Sequence, residues 1–194
     1  MDALLGPLME QLSGDELSPI SKQIGAEKGI TGSALASVMP LLMSALANNA
    51  SKPEGAQSLH QALATDHDGS ILNNVSGFLG NPQAANGAGI LGHILGGQQS
   101  AVTQGLAQSS GLNSGQTGQL LEIAAPLLMG VLGQQQQQQG FDTNTLSNFL
   151  SDQQQMAQQS NPDTMSMLNN LLDMNKDGSA IDDILGLVRK FFRR

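Results

Sequence analysis

At 194 residues the chain is long enough to bury a real core, as one compact domain or two small ones. Its formal net charge of −8 and sequence pI near 4.5 disfavour phosphate backbones and anionic lipid as bulk partners. Without cysteine it has no disulfide, no thiolate nucleophile and no cysteine-based zinc site. Aromatic residues are only five phenylalanines, Ala, Leu, Gln and Met abound, and no stretch alternates as a strand should. These features predict an all-α, multi-helical protein.

In chain order, a short amphipathic helix from Ile20 is predicted to end at Gly29, and Thr31 to start an apolar helix through Leu46. This core helix carries Pro40-Leu41-Leu42-Met43, and a proline inside a helix removes one hydrogen bond and kinks it. Pro53 is well placed in the first turn of the next helix. An Asp68-Gly69-Ser70 turn and a last short helix follow, with Ser70 and Asn73 as helix-start residues.

Asn81-Pro82 opens a small-residue helix through Ile90–Leu95, closed by Gly96-Gly97. The pattern then repeats. Val102 to Gly111 is an amphipathic helix, Asn113 starts the second core helix, and Pro126-Leu127-Leu128-Met129 matches the first proline box. Gln134–Gln139 extends that helix, Asp142–Gln155 forms an amphipathic helix around Leu146, Phe149 and Leu150, and Gln153–Gln159 links on. Asn161-Pro162 begins a further helix, and Asp177-Gly178-Ser179 precedes the last one.

The order of these blocks predicts a tandem duplication of a roughly 80-residue helical unit, with a kinked proline-containing core helix in each copy. The upstream match, Gly29 with Gly111, implies about one helical turn inserted in the second copy. The expected organisation is a first repeat over 1–80, a connecting helix over 81–97, and a second repeat with a Gln-rich insertion over 98–194.

Leu91-Gly92-His93-Ile94-Leu95-Gly96-Gly97, the Pro-Leu-Leu-Met box and the terminal Asp177–Gly186 segment together resemble the bacterial domain-of-unknown-function family DUF937. This family is similar to the YidB-like proteins. The resemblance covers most of the chain and implies a multi-helical fold and a bacterial origin, with no activity, cofactor or site residue to carry over.

The sharpest local chemistry is an EF-hand-like calcium loop. Calcium takes six to eight oxygen ligands, and the loop pattern wants side-chain oxygens at positions one, three and five with glycine at six. Asp173, Asn175, Asp177 and Gly178 meet that spacing, and Ser179 offers its carbonyl. Position twelve is Ile184 where a bidentate glutamate belongs, so the loop must shorten to bring in Asp183. The competing role of the same residues is a turn and helix cap, with Ser179 and Asp182 at the helix start.

Other motifs carry less. Gly87–Gly92 spells the dinucleotide fingerprint without its preceding strand or its acidic partner. His60 and His67 flank Asp66 and Asp68, a conceivable histidine–carboxylate metal site, while His93 sits among apolar neighbours. No nucleophile elbow or acid–base pair is present, so no enzyme is expected. Ile20–Leu46 has a helix-turn-helix rhythm, but its second helix offers Leu35, Val38, Met39, Leu42 and Met43 with no Lys or Arg. Arg189, Lys190, Arg193 and Arg194 complement a terminal helix dipole.

The expected function is therefore a non-catalytic protein-interaction or self-association module, partnered by another protein or by a second copy. Neither nucleic acid nor a membrane span is expected, since Ala34–Ala47 and Leu120–Leu132 fall short of the roughly 20 residues a span needs. The start of the chain has no basic leader, and the expected location is the cytoplasm. A calcium-binding module is the first alternative and a helix-turn-helix-like DNA regulator the second.

Overall fold

The structure is a computed structural model and describes residues 17–160. Among these residues every regular element is helical: α1 (Leu17–Ile24), α2 (Lys28–Ala50), α3 (Pro53–Thr65), α4 (Val75–Gly80), α5 (Gly87–Leu95), α6 (Gln99–Ser110), α7 (Ser114–Gln139) and α8 (Thr143–Ser160). Short 3₁₀ turns at Ser70–Asn74, Pro82–Ala85 and Gly96–Gln98 join some of them.

Two long helices form the centre because they are apolar on all sides. Val38–Ala47 of α2 and Ile123–Gly133 of α7 are unbroken buried runs, the signature of helices surrounded by others rather than half in water. They touch each other, and α1, α3, α5 and α6 each pack against both. The amphipathic α8 lies along α2 and α3, burying Leu146, Leu150, Gln153 and Ala157 at helical spacing. Its Ser147 hydroxyl donates to the Ala50 carbonyl at 2.9 Å, and Gln154 Nε2 donates to Ser44 Oγ at 2.8 Å.

Helix ends follow from local chemistry. Asn113 caps α7 with a reciprocal pair: its side chain accepts from the Gln116 N–H and the Gln116 side chain accepts from its own N–H. Thr117, buried in the first turn, donates to the Asn113 carbonyl. Thr31 does the same in α2, donating to the Glu27 carbonyl. So Thr31 lies inside the helix, and α1 ends at the left-handed Gly25 rather than at Gly29, which is helical. Gly111 ends α6 in the same left-handed way. The pairs Gly25/Gly111, Thr31/Thr117 and Pro40/Pro126 are all equally spaced along the chain.

Three other expectations shift. Gln153–Gln159 is part of α8, because Gln153 and Ala157 continue its buried stripe. The 3₁₀ turn after Gly69 is held by the Ser70 N–H donating to the Asp68 carboxylate at 2.9 Å, and Asn74 rather than Asn73 caps α4 through the Gly77 N–H. Finally, α2 is long and apolar enough to cross a membrane, with a mean hydropathy of 1.7, although its uninterrupted apolar run is short. Within the fold 72% of that window is buried, as in the core helix of a globular bundle.

Candidate functional site

A concavity lies between α3 and α5. It arises because α7 draws these two helices close at glycines. Pro126 has no N–H, which leaves the Glu122 carbonyl without its helical partner. Gly87, the first residue of α5, sits against that carbonyl so tightly that any Cβ would collide with it. On the other side, Gly133 of α7 meets the His67 carbonyl, again with no space for a methyl group. The two glycines thus bring α5 and the end of α3 onto one face of α7, with a groove of about 490 Å³ between them.

Leu46 from α2, Leu59 and Ala62 from α3, Ile90 and Ile94 from α5, and Met129 from α7 give the groove its apolar floor. The rim is polar: Glu54, Asp66 and Asn86 are exposed, and Asn49 ties the rim together by donating to the His93 carbonyl at 2.9 Å. Among the described residues no lysine or arginine lines it. A shallower hollow of about 730 Å³, bounded by Asp68, Ile71 and Phe78, continues from it and shares Asp66, His67, Asn86 and Ile90. His67 stands at the junction of the two.

Burial lowers the pKa of the half-buried His67 imidazole, against the opposing pull of Asp66 and Asp68. Folding therefore favours the neutral ring, and the unfolded chain binds the proton more readily. The stability this costs is absent well above pH 6.5 and grows as pH falls through that ordinary value toward the lowered one. Asp68 moves in the other window. The Ser70 hydroxyl first, then its N–H, hold the carboxyl below 3.8, so its contribution is present above that pH and lost as pH falls through the lowered value. The Asp142 carboxyl is lowered by Thr145, whose N–H donates to it at 2.7 Å. Thermal unfolding between pH 7.5 and 5.5 is expected to show a falling Tm, with a smaller fall in His67→Gln. Equal falls in both proteins would mean that the imidazole is as well solvated in the fold as outside it.

The residues singled out from sequence fare unequally. His60 and His67 do not converge: His60 Nε2 donates to the Phe141 carbonyl at 2.9 Å, locking α3 to the α7–α8 corner, where Gln136 Nε2 donates to the His60 carbonyl. Among the described residues no three His, Asp or Glu side chains are grouped to hold a metal. The possible calcium ligands Asp173, Asn175, Asp177, Ser179 and Asp183 lie outside the described residues. Leu35, Val38, Met39, Leu42 and Met43 of the helix-turn-helix rhythm are all buried. Gly87 and Gly89 of the fingerprint-like run serve helix contact and helix start instead. His93, expected among apolar neighbours, is exposed on the groove rim. The groove itself escaped sequence reasoning, since its residues come from four helices; the one local signal was Gly133 and Gly87, small residues where helices approach.

No curated protein and no solved structure matches the chain. The profile of one family, described as a bacterial protein of unknown function (DUF937), matches residues 7–135, from before α1 through most of α7. The resemblance of the terminal Asp177–Gly186 segment falls beyond that match. With two-thirds of its length aligned, the chain belongs to the DUF937 family of bacterial proteins of unknown function.

Proposed function

We propose that this protein is a non-catalytic, cytoplasmic helical binding module that captures a cationic amphipathic segment of a protein in the α3–α5 groove. One observation carries the reading: an apolar floor bordered by Glu54 and Asp66, with no lysine or arginine lining it among the described residues. A helix laid in such a groove buries its apolar face, which supplies most of the affinity. The carboxylates at the rim then select positive flanks and speed the encounter. Residues 17–160 carry seven carboxylates against three lysines, so the wider field has the same sign.

We further infer that the scaffold arose by tandem duplication, with a kinked core helix in each copy. The supports are the equally spaced left-handed glycines Gly25 and Gly111, the back-bonding Thr31 and Thr117, and the intrahelical Pro40 and Pro126. In this reading α8 is an insertion of the second copy, and the groove is shared by α2 and α3 of the first copy, the connecting helix α5 and Met129 of the second. Calcium binding at Asp173–Asp183 and DNA binding rest on sequence patterns alone, and no observation among the described residues favours either over the groove.

The test is titration of a fluorescein-labelled helical peptide of leucines and lysines, read by polarisation. Binding is expected to weaken with added salt and to fall roughly tenfold in Glu54→Gln/Asp66→Asn, about 1.4 kcal/mol for two rim charges. An anionic peptide of equal hydrophobicity is expected to bind at least as poorly as the variant does. Equal affinity for both peptides would overturn the charge-selective reading.

A further inference from the structure

We infer that the groove has a built-in occupant, the chain's own C-terminal segment 184–194, so that capture of a partner is self-competed. This rests on the proposed function of the groove and names a second ligand for it. Three observations bear on it. The first is charge: Arg189, Lys190, Arg193 and Arg194 are four of the eight basic residues of the whole chain, whereas the groove carries Glu54 and Asp66 and, among the described residues, no lysine or arginine. An acidic body joined to a basic end has an intramolecular attraction that another protein must displace.

The second observation is pattern. Set out at helical spacing, Ile184, Leu187, Val188 and Phe191 fall on one side and Arg189, Lys190 and Arg193 on the other. This is the chemistry the groove selects: an apolar face for Leu59, Ile90, Ile94 and Met129, and positive flanks for the carboxylates. The third is reach. The chain leaves the described residues at the end of α8, whose later turns lie along α2 at Ser44. The 23 residues from 161 to 183 span up to about 75 Å when extended, which is more than enough.

Tethering raises the local concentration of the segment to roughly millimolar, so even weak affinity keeps the groove occupied until a tighter or multivalent partner arrives.

The full chain permits a clean test because it contains neither tryptophan nor cysteine. Phe192→Trp places a single fluorophore in the segment. Ser58→Cys places a nitroxide on the exposed groove wall, and Ser33→Cys gives a control site toward the other end of α2, about 20 Å along the axis from Leu46. Docking predicts tryptophan quenching from position 58 and not from 33, independent of protein concentration. Adding 0.5 M salt, or Glu54→Gln/Asp66→Asn, is expected to reduce that quenching at least twofold.

Quenching that grows with concentration would assign the segment to a second copy and overturn the intrachain reading. Absent or position-independent quenching would overturn docking altogether. If the leucine–lysine peptide still binds in that case, the groove keeps its proposed function and only the internal occupant is lost.

Discussion

Gly133→Ala is expected to destabilise the protein by about 3 kcal/mol, a fall in Tm of roughly 6–12 °C. In most helix interiors the same change stabilises by about 0.5–1 kcal/mol, because alanine loses less backbone entropy on folding. The sign is reversed here by the neighbour. A methyl group at Gly133 collides with the His67 carbonyl and stands 3.3 Å from the Leu63 carbonyl. Both are backbone atoms, held by the last turn of α3 and by the His67 N–H donating to Ala62, so the neighbour cannot rotate away as a side chain would. The control is Gly118→Ala on the same helix, where no atom lies within 4 Å of the added methyl and a gain of about 0.5–1 kcal/mol is expected. Chemical denaturation of the two variants separates the effects. Equal behaviour would show that α3 sits further from α7 than described.

Leu63→Ala is the second large effect, expected to cost about 2–5 kcal/mol. Leu63 is 0% exposed and continues the buried stripe Ala56, Leu59, Leu63 on α3. That helix touches α2, α7 and α8, so truncation leaves a void lined from several directions. A site enclosed on several sides relaxes little, which places the cost in the upper half of the range. Because Leu63 and Gly133 share a contact, their effects are not independent. Leu63→Ala gives α3 room to move off the methyl of Gly133→Ala, and the double variant is expected to lose less than the two single losses added. Strict additivity, measured by urea unfolding, would mean that the two positions do not communicate through α3.

Much of this architecture is legible in the amino-acid sequence. Uniformly apolar runs around Pro40 and Pro126 are legible as central helices because burial on all sides leaves no polar stripe. Leu146 and Leu150 announce α8 by their spacing. Helix starts were harder. Thr31 has the composition of an N-cap, yet its hydroxyl bonds back to Glu27 from within the helix, and only tertiary burial distinguishes the two uses. Gly25 and Gly29 are both credible helix ends in sequence; the positive φ at Gly25 decides between them. The groove was the least legible part. Its floor is assembled from Leu46, Leu59, Ile90 and Met129, residues that each read simply as core on their own helix. The acidic rim also looked like an ordinary solvated turn, because nothing local says that Asp66 and Glu54 border the same cavity.

Methyl NMR of the full chain with the leucine–lysine peptide shows whether the α3–α5 groove takes a cationic amphipathic segment. Met129, Ile90, Ile94 and Ala62 report the floor, while Met39 and Leu121, fully buried elsewhere in the core, report the rest. The expected result is saturable shifts of the first group, with the second unmoved, and loss of those shifts in Glu54→Gln/Asp66→Asn at the same peptide concentration. Shifts centred on any other face, or floor methyls that stay unmoved while the peptide binds, would place the binding site elsewhere.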